Sequence, residues 1–393
     1  MTDHDASLQR ALGDAVGLGD VEAVRLILRG NSVVDWHRAT FLERSDVDRF
    51  LRLHLIDIDV EDDKRRLRFV HAEAVNYLEH HLGLHFPEQL RKPDDVRDIF
   101  LLASQLGGFR RRQIQACVIL KLMHVINHME AAELRHQTAL SEADLLDLAE
   151  RRIVSAADQM RTEGFPLLAF YGSRKTRNSI LTKLLAKKEN TAATIFDKLR
   201  FRIVTEARQD VIPAIMWLTR NLFPFNYVIP GQSHNNLIHL PTLLSRPPYA
   251  HLASLLQGYE AASDDEGDDD FSPEANPFSG GSYRMINFIC DFPVRVDHLV
   301  PARYGALLGR TAFVQVEFQV LDRETARANE EGENAHRLYK DRQRAIVGSR
   351  LRKGGRYQRV KTGTRSARDV PQPPDEETLE VPRDDNERGA AKG

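Results

Sequence analysis

The chain has 393 residues, 42% of them hydrophobic and 28% charged, with a formal net charge of −2. That balance reads as a globular protein with room for two ordinary domains rather than a disordered chain, and a charge so near zero carries no whole-molecule signature of a nucleic-acid or acidic partner. Cys117 and Cys290 are too few for a disulfide framework or a cysteine metal site, and no apolar run approaches the roughly 18 residues of a membrane span. The N-terminal "MTDHDASLQR" lacks the apolar core of a secretory signal, so the expected location is cytoplasmic, with no membrane partner.

In chain order, residues 1–160 read as an all-helical domain. "DVEAVRLILRG" carries an apolar stripe at Val21, Val24, Leu26 and Ile27 and stops at Gly30. The longest periodic helix covers 110–136. His124 and His128 stand four apart on it, with the spacing of metal ligands, but Leu122, Met123, Val125 and Ile126 around them favour packing. The helix over 141–164 opens with Ser141 three residues before Asp144, an acidic form of the capping box.

After Gly164 helices and strands alternate. The pattern predicts a turn at 172–175, a helix over 178–188, a strand over 193–206, a helix over 210–223, and strands over 284–296 and 313–322. That alternation predicts an α+β or α/β domain with a mixed sheet over 165–350. Residues 231–281 interrupt it with a short helix near 249–260 and the acidic "SDDEGDDDFSPEANPFSGG", expected as a surface loop. Residues 351–393 form a basic and polar tail expected to be disordered.

Several residues in this second part can carry chemistry. Arg174, Lys175, Arg177 and Lys183 surround a helix start, as a phosphate cradle or as a solvated basic face. Asp197 stands at the mouth of a strand in which Leu199, Phe201 and Ile203 share one side and Arg200 and Arg202 the other. This suits a metal–phosphate site or a surface ion pair. Tyr283 follows Gly280, Gly281 and Ser282, where its ring can stack on a base or sit as an edge-strand tyrosine. Glu317 lies mid-strand on one face with Gln315 and Gln319, and a buried acid in that position needs a cation, a metal or a shared proton. Beyond it a helix is expected to carry His336 and Lys340, four apart on one face.

In their order these segments resemble the RelA/SpoT synthetase domain, a (p)ppGpp-synthesising branch of the nucleotidyltransferase-like folds. The matching stretches are "SRKTRNSILTK" (173–183), "DKLRFRIV" (197–204), "NYVIP" (226–230), "SYRMIN" (282–287), "VEFQVLD" (316–322) and "EEGENAHRLYK" (330–340). Together they span roughly 170–345. Leu321 stands where the family has an arginine, Asn287 where it has a histidine, and Arg200 where it has a glycine.

The resemblance implies a mixed-sheet nucleotidyltransferase-like domain that moves a pyrophosphate from ATP to the 3′-hydroxyl of GDP or GTP. It implies Mg²⁺ on Asp197 and Glu317, with Glu317 also the base at the acceptor hydroxyl. ATP phosphates would meet Arg174, Lys175, Lys183 and Arg202, and Tyr283 would stack on the acceptor base. His336 and Lys340 would complete the phosphate side or anchor the last helix. Two other readings stay open: a nucleotide-sensing module without turnover, and a transferase acting on RNA ends. The latter draws on the Lys- and Arg-rich stretch 337–368, whose one acid is Asp341. The sequence leaves the oligomeric state unknown.

Overall fold

The computed structural model describes residues 16–29, 41–104, 110–186, 198–239, 283–331, 347–348 and 376–380. Helices α1 (Leu18–Arg29), α2 (Arg44–Leu53), α3 (Glu61–Leu82), α4 (Glu88–Arg91), α5 (Arg97–Ala103), α6 (Arg110–Gln137) and α7 (Glu142–Thr162) come first. They are followed by β1 (Leu167–Lys175), α8 (Arg177–Ala186), β2 (Leu199–Thr205), α9 (Val211–Asn221), β3 (His234–Asn235) and β4 (Ile286–Arg295). The series closes with α10 (Ala302–Leu308), β5 (Thr311–Asp322), α11 (Arg323–Glu330) and β6 (Glu376–Glu380). The fold is mixed α+β, as the alternation predicts. Its six-stranded sheet has the order β3-β4-β5-β2-β1-β6, with β2 and β5 parallel and every other pair antiparallel.

Period-two alternation gives the sheet two unlike faces. Leu199, Phe201 and Ile203 of β2 and Ala312, Val314, Val316, Phe318 and Val320 of β5 are buried in the core that α7 and α9 cover. Arg200 and Arg202, and Gln315, Glu317 and Gln319, alternate to the opposite face. The stretch 172–175, expected as a turn, is instead the end of β1. Gly172 has a packing role there, since a Cβ would stand 2.8 Å from the Phe201 ring. Half of the expected capping box of α7 forms: Ser141 Oγ accepts from the Asp144 amide at 3.1 Å, while the Asp144 carboxylate meets the Ser141 hydroxyl, which donates to Oδ2 at 2.6 Å, rather than the Ser141 amide.

The cores do not divide at residue 160. One apolar cluster, built from α2 to α6, lies within residues 47–126. The sheet core reaches back to include Val21, Val24 and Ile27 of α1 and Leu145, Ile153 and Met160 of α7. The apolar stripes of α1 and α7 therefore serve the sheet, and Arg220 of α9 grips Asp20 of α1 through two contacts of 2.6 Å. Among the described residues no helix is long and apolar enough to cross a membrane. The short helix expected near 249–260, the rest of the acidic stretch from 240 and the basic stretch 337–368, apart from 347–348, lie outside the described residues. Within the tail expected to be disordered, residues 376–380 pair as β6.

The helical cluster is latched to one end of the sheet. Arg295 at the end of β4 donates to Asp63 of α3 at 2.9 and 2.8 Å and to the Leu55 carbonyl at 2.6 Å, while Arg310 meets Asp62 at 2.9 Å. Asp63 is 7% exposed, so removing its cation strands a poorly solvated charge. Arg295→Ala should lower stability by about 1–3 kcal/mol, read as a lower urea midpoint. An unchanged midpoint would mean that the latch contributes nothing.

Candidate nucleotide-binding face

Strand register, more than proximity in sequence, assembles the polar face. Arg200 pairs with Glu317 and Arg202 with Gln319 across β2 and β5, and across β4 and β5 Glu317 pairs with Ile289 and Gln319 with Asn287. Tyr171 of β1 pairs with Arg202, and His234 of β3 with Asn287. One continuous row therefore reads Tyr171, Arg202, Gln319, Asn287, His234. The next row reads Ser173, Arg200, Glu317, Ile289. Neighbouring strands stand about 4.8 Å apart, so each row places several polar groups within reach of one ligand.

Arg202 is the hub. Its guanidinium donates to Gln319 Oε1 at 3.2 and 3.1 Å, to the Tyr283 hydroxyl at 3.2 Å and to the Tyr171 hydroxyl at 3.3 Å, and it lies 6.0 Å from the Tyr171 ring centre. Gln319 turns its amide to Glu317, donating from Nε2 to Oε1 at 3.0 Å. Glu317 is 6% exposed, and its other oxygen, Oε2, has no hydrogen-bond partner among the described residues; the same holds for Asn287 Oδ1 and Ser233 Oγ. Buried acceptors without donors are costly. The combination fits a cation or a donor-rich ligand.

Tyr283 sits three residues before β4 and is held through its backbone. Asn236 donates to the Tyr283 carbonyl at 2.8 Å and accepts from the Met285 amide at 2.7 Å. Asn329 of α11 accepts from the Arg284 amide at 3.0 Å and donates to the Arg284 carbonyl at 2.7 Å. Two side-chain amides thus fix the short approach to β4. Burial also pushes the His234 imidazole below its ordinary pKa, so the far end of the row is neutral near pH 7.

The structure brings Glu317, Arg202 and Tyr283 together and separates Arg174 from them. Adjacent strand residues point to opposite faces. Lys175 alternates with Ser173 and Tyr171 onto the polar face, and Arg174 falls on the other, where it pairs with Asp147 and Glu150 of α7. Burial disfavours its charge, but those carboxylates outweigh burial and hold its pKa above the ordinary arginine value. Arg174 is therefore engaged as a strut between β1 and α7. Asp197, His336, Lys340 and the side chain of Lys183 lie outside the described residues. Among the described residues no cluster of three or more His, Cys, Asp or Glu is arranged to hold a metal.

The sequence offered no local signal for Asn236 and Asn329, whose work depends on long-range placement. Tyr171 was findable by extending alternation back along β1.

The same face continues beneath the helical cluster. His128 of α6 stacks on Phe313 of β5 with ring centres 4.4 Å apart, and its Nδ1 lies 3.7 Å from Asp291 of β4. Asn226 Nδ2 lies 3.1 Å from His54 Nε2 and 3.2 Å from His124 Nδ1. These imidazoles line or adjoin a cavity of about 60 Å³ bounded by Phe50, Leu67, Phe100 and Tyr227. His124 and His128 thus serve as packing groups, as their apolar neighbours imply, with His54 as a third member.

No protein-family profile matches the chain, and neither does any curated protein. Among solved structures, the chain is similar to small alarmone synthetase 2 from Bacillus subtilis, at 13% identity over 55% of this chain and 97% of that one, with a TM-score of 0.27. It is also similar to small alarmone synthetase 1 from Bacillus subtilis, bound there to its product pppGpp, at 13% identity over 59% of this chain and 95% of that one, with a TM-score of 0.25.

Proposed function

We propose that the polar face of the sheet binds ATP and a guanine nucleotide, and that the chain moves the β,γ-pyrophosphate of ATP onto the acceptor 3′-hydroxyl, releasing AMP. The observation that carries this is the buried Glu317 carboxylate with one oxygen unpartnered among the described residues, in register with Arg200 and one step from Arg202. A structural acid would spend both oxygens on its neighbours; this one holds one in reserve.

In this reading Arg202 and Lys175, with Lys183, hold the phosphate chain as point charges and donors. Glu317 accepts the proton of the acceptor hydroxyl as its oxygen bonds to the β-phosphorus and the bond to the α-phosphate oxygen breaks. Gln319 fixes the Glu317 rotamer by its 3.0 Å bond. Glu317 and Asp197 are the residues that would hold Mg²⁺, which characteristically takes one or two carboxylates plus substrate phosphates and neutralises phosphate charge. His336 and Lys340 remain with two roles, the phosphate side or the anchoring of the last helix.

The test is incubation with γ-labelled ATP and Mg²⁺ plus GDP, GTP, ADP or a tRNA pool in turn. Label in a guanosine product with matching AMP supports the reading. Label in RNA, or no transfer with any acceptor, overturns it.

The ring of Tyr283 gives a second check. Tyr283→Ala should weaken guanine-nucleotide binding by about 1–3 kcal/mol, the range for base–aromatic stacking. Tyr283→Phe keeps the ring and loses only the 3.2 Å bond from Arg202, a change of about 1 kcal/mol or less. ATP affinity should move little in either variant. Equal losses for both nucleotides in calorimetry would make Tyr283 structural.

A further inference from the structure

The 28-residue helix α6 is apolar on two sides. Ala116, Ile119, Leu120 and Met123 face the core of the helical cluster. On the other side Val118 and Leu122 are partly buried, while Ile114, Val125 and Met129 are 54%, 53% and 63% exposed. The helical period places these last five within an arc of about 80°, so they form one stripe along α6. Phe69 of α3 is 45% exposed and lies beside the C-terminal half of the stripe. Arg66 stands 5.3 Å from the Phe69 ring centre and pairs with Glu130, the neighbour of Met129. A helix that is apolar all round is normally covered all round, and contiguous exposed apolar surface of this kind marks an interface.

The order of residues along the stripe says what covers it. Arg111, Ile114 and Val118 lead to a midpoint between Lys121 and Leu122, and Val125, Met129 and Glu133 follow it at matching intervals. Turned end for end, the stripe lays apolar on apolar and acid on base. Ile114 then meets Met129 of a second copy, Val118 meets Val125, and Arg111 meets Glu133. That is the self-complementarity an isologous two-fold contact requires. Arg111 and Glu133 are both exposed. Arg111 also stands in the first turn of α6, where the helix dipole disfavours a cation and no acid accompanies it, so its charge does not serve the helix itself. The two Lys121 ammonium groups come near each other at the midpoint, and their flexible stems let them diverge into solvent.

We propose that this stripe is a dimer interface, on which α6 packs antiparallel against α6 of a second copy of the chain, about a two-fold axis between Lys121 and Leu122. The contact is built from residues outside the proposed nucleotide-binding face and does not depend on that reading.

Sedimentation velocity on the full chain across a range of concentrations tests it. The parent should associate to a dimer. Val125→Asp, at a position exposed in the single copy, should abolish association while leaving circular dichroism and the melting curve unchanged. Arg111→Glu and Glu133→Arg should each weaken self-association by at least about tenfold, because each reversal is felt at both symmetry-related pairs. Mixed in equal amounts, those two variants should associate again, since each supplies the charge the other lacks. A monomer at every concentration would overturn the proposal and leave the stripe to another part of this chain or to a different protein. A parent dimer that survives Val125→Asp would put the interface elsewhere. A mixture that stays monomeric, with each variant folded, would overturn the antiparallel pairing.

Discussion

Glu317→Gln should leave the protein folded and reduce pyrophosphate transfer by at least about a hundredfold, the lower range for losing a positioned base. The substitution keeps size and shape. Its amide oxygen can still accept from Gln319 Nε2, as Glu317 Oε1 does at 3.0 Å. What disappears is the charge, and with it the ability to take a proton or hold a cation. Because Oε2 has no partner among the described residues, little native structure depends on it, and the thermal midpoint should hold or rise slightly without Mg²⁺. The dependence of turnover on Mg²⁺ should weaken in parallel. An acid serving only to neutralise a buried arginine behaves in the opposite way, since its loss strands the cation and lowers stability by about 3–5 kcal/mol. Unchanged transfer in a destabilised variant would leave the sheet as scaffold. Rates, melting curves and metal titrations on one preparation separate the two cases.

The second large effect is acid lability between pH 7 and 5. Burial lowers the pKa of His54 from 6.5 to about 4, of His124 to about 3 and of His128 to about 4. A neighbouring imidazole adds to this for His54 and His124. In the unfolded chain each takes a proton near pH 6.5, while in the folded protein each resists. Their contribution is thus fully present above pH 6.5 and is lost as pH falls toward 4.

Asp291 works the other way. Burial raises its carboxyl from 3.8 to about 6, so acidification relieves its strain. Three imidazoles against one carboxyl leave a net loss on the order of 3–5 kcal/mol between pH 7 and 5. Urea midpoints across that range should fall steeply, and His124→Gln should flatten the curve. A level profile would show that these imidazoles find protonated partners that the structure does not give them.

Much of this could be read from period and spacing. Strands β2 and β5 follow from apolar residues at every second position, and the shared face of Gln315, Glu317 and Gln319 follows with them. Alternation cannot supply register, because a strand fixes which side a residue faces but not which neighbour it meets. That is why Arg202 could be singled out while its bonds to Gln319 and Tyr171 could not. Arg174 shows the reverse error. Read as part of a turn, Arg174 and Lys175 can serve one ligand; as strand residues they must diverge. His124 and His128 share a helix face legibly, but His54 and Asn226 join them from segments about 70 and 100 residues away, and nothing local announces that. The tail strand β6 escaped because a glutamate-rich segment has no strand signature of its own.

The parallel pairing of β2 with β5 has a kinetic consequence. Arg200 and Glu317 become neighbours only when segments more than a hundred residues apart in the chain come together, so the pairing of β2 with β5 at the candidate site is non-local. Such pairing is slow, because chain entropy is lost before any contact rewards it. The thermodynamic toll is far gentler, since closure entropy grows with the logarithm of length. The extra 231–281 stretch nearly doubles the chain between the two strands, at roughly 0.6 kcal/mol. Lengthening or trimming that stretch should therefore shift refolding rates while leaving the equilibrium midpoint almost where it was.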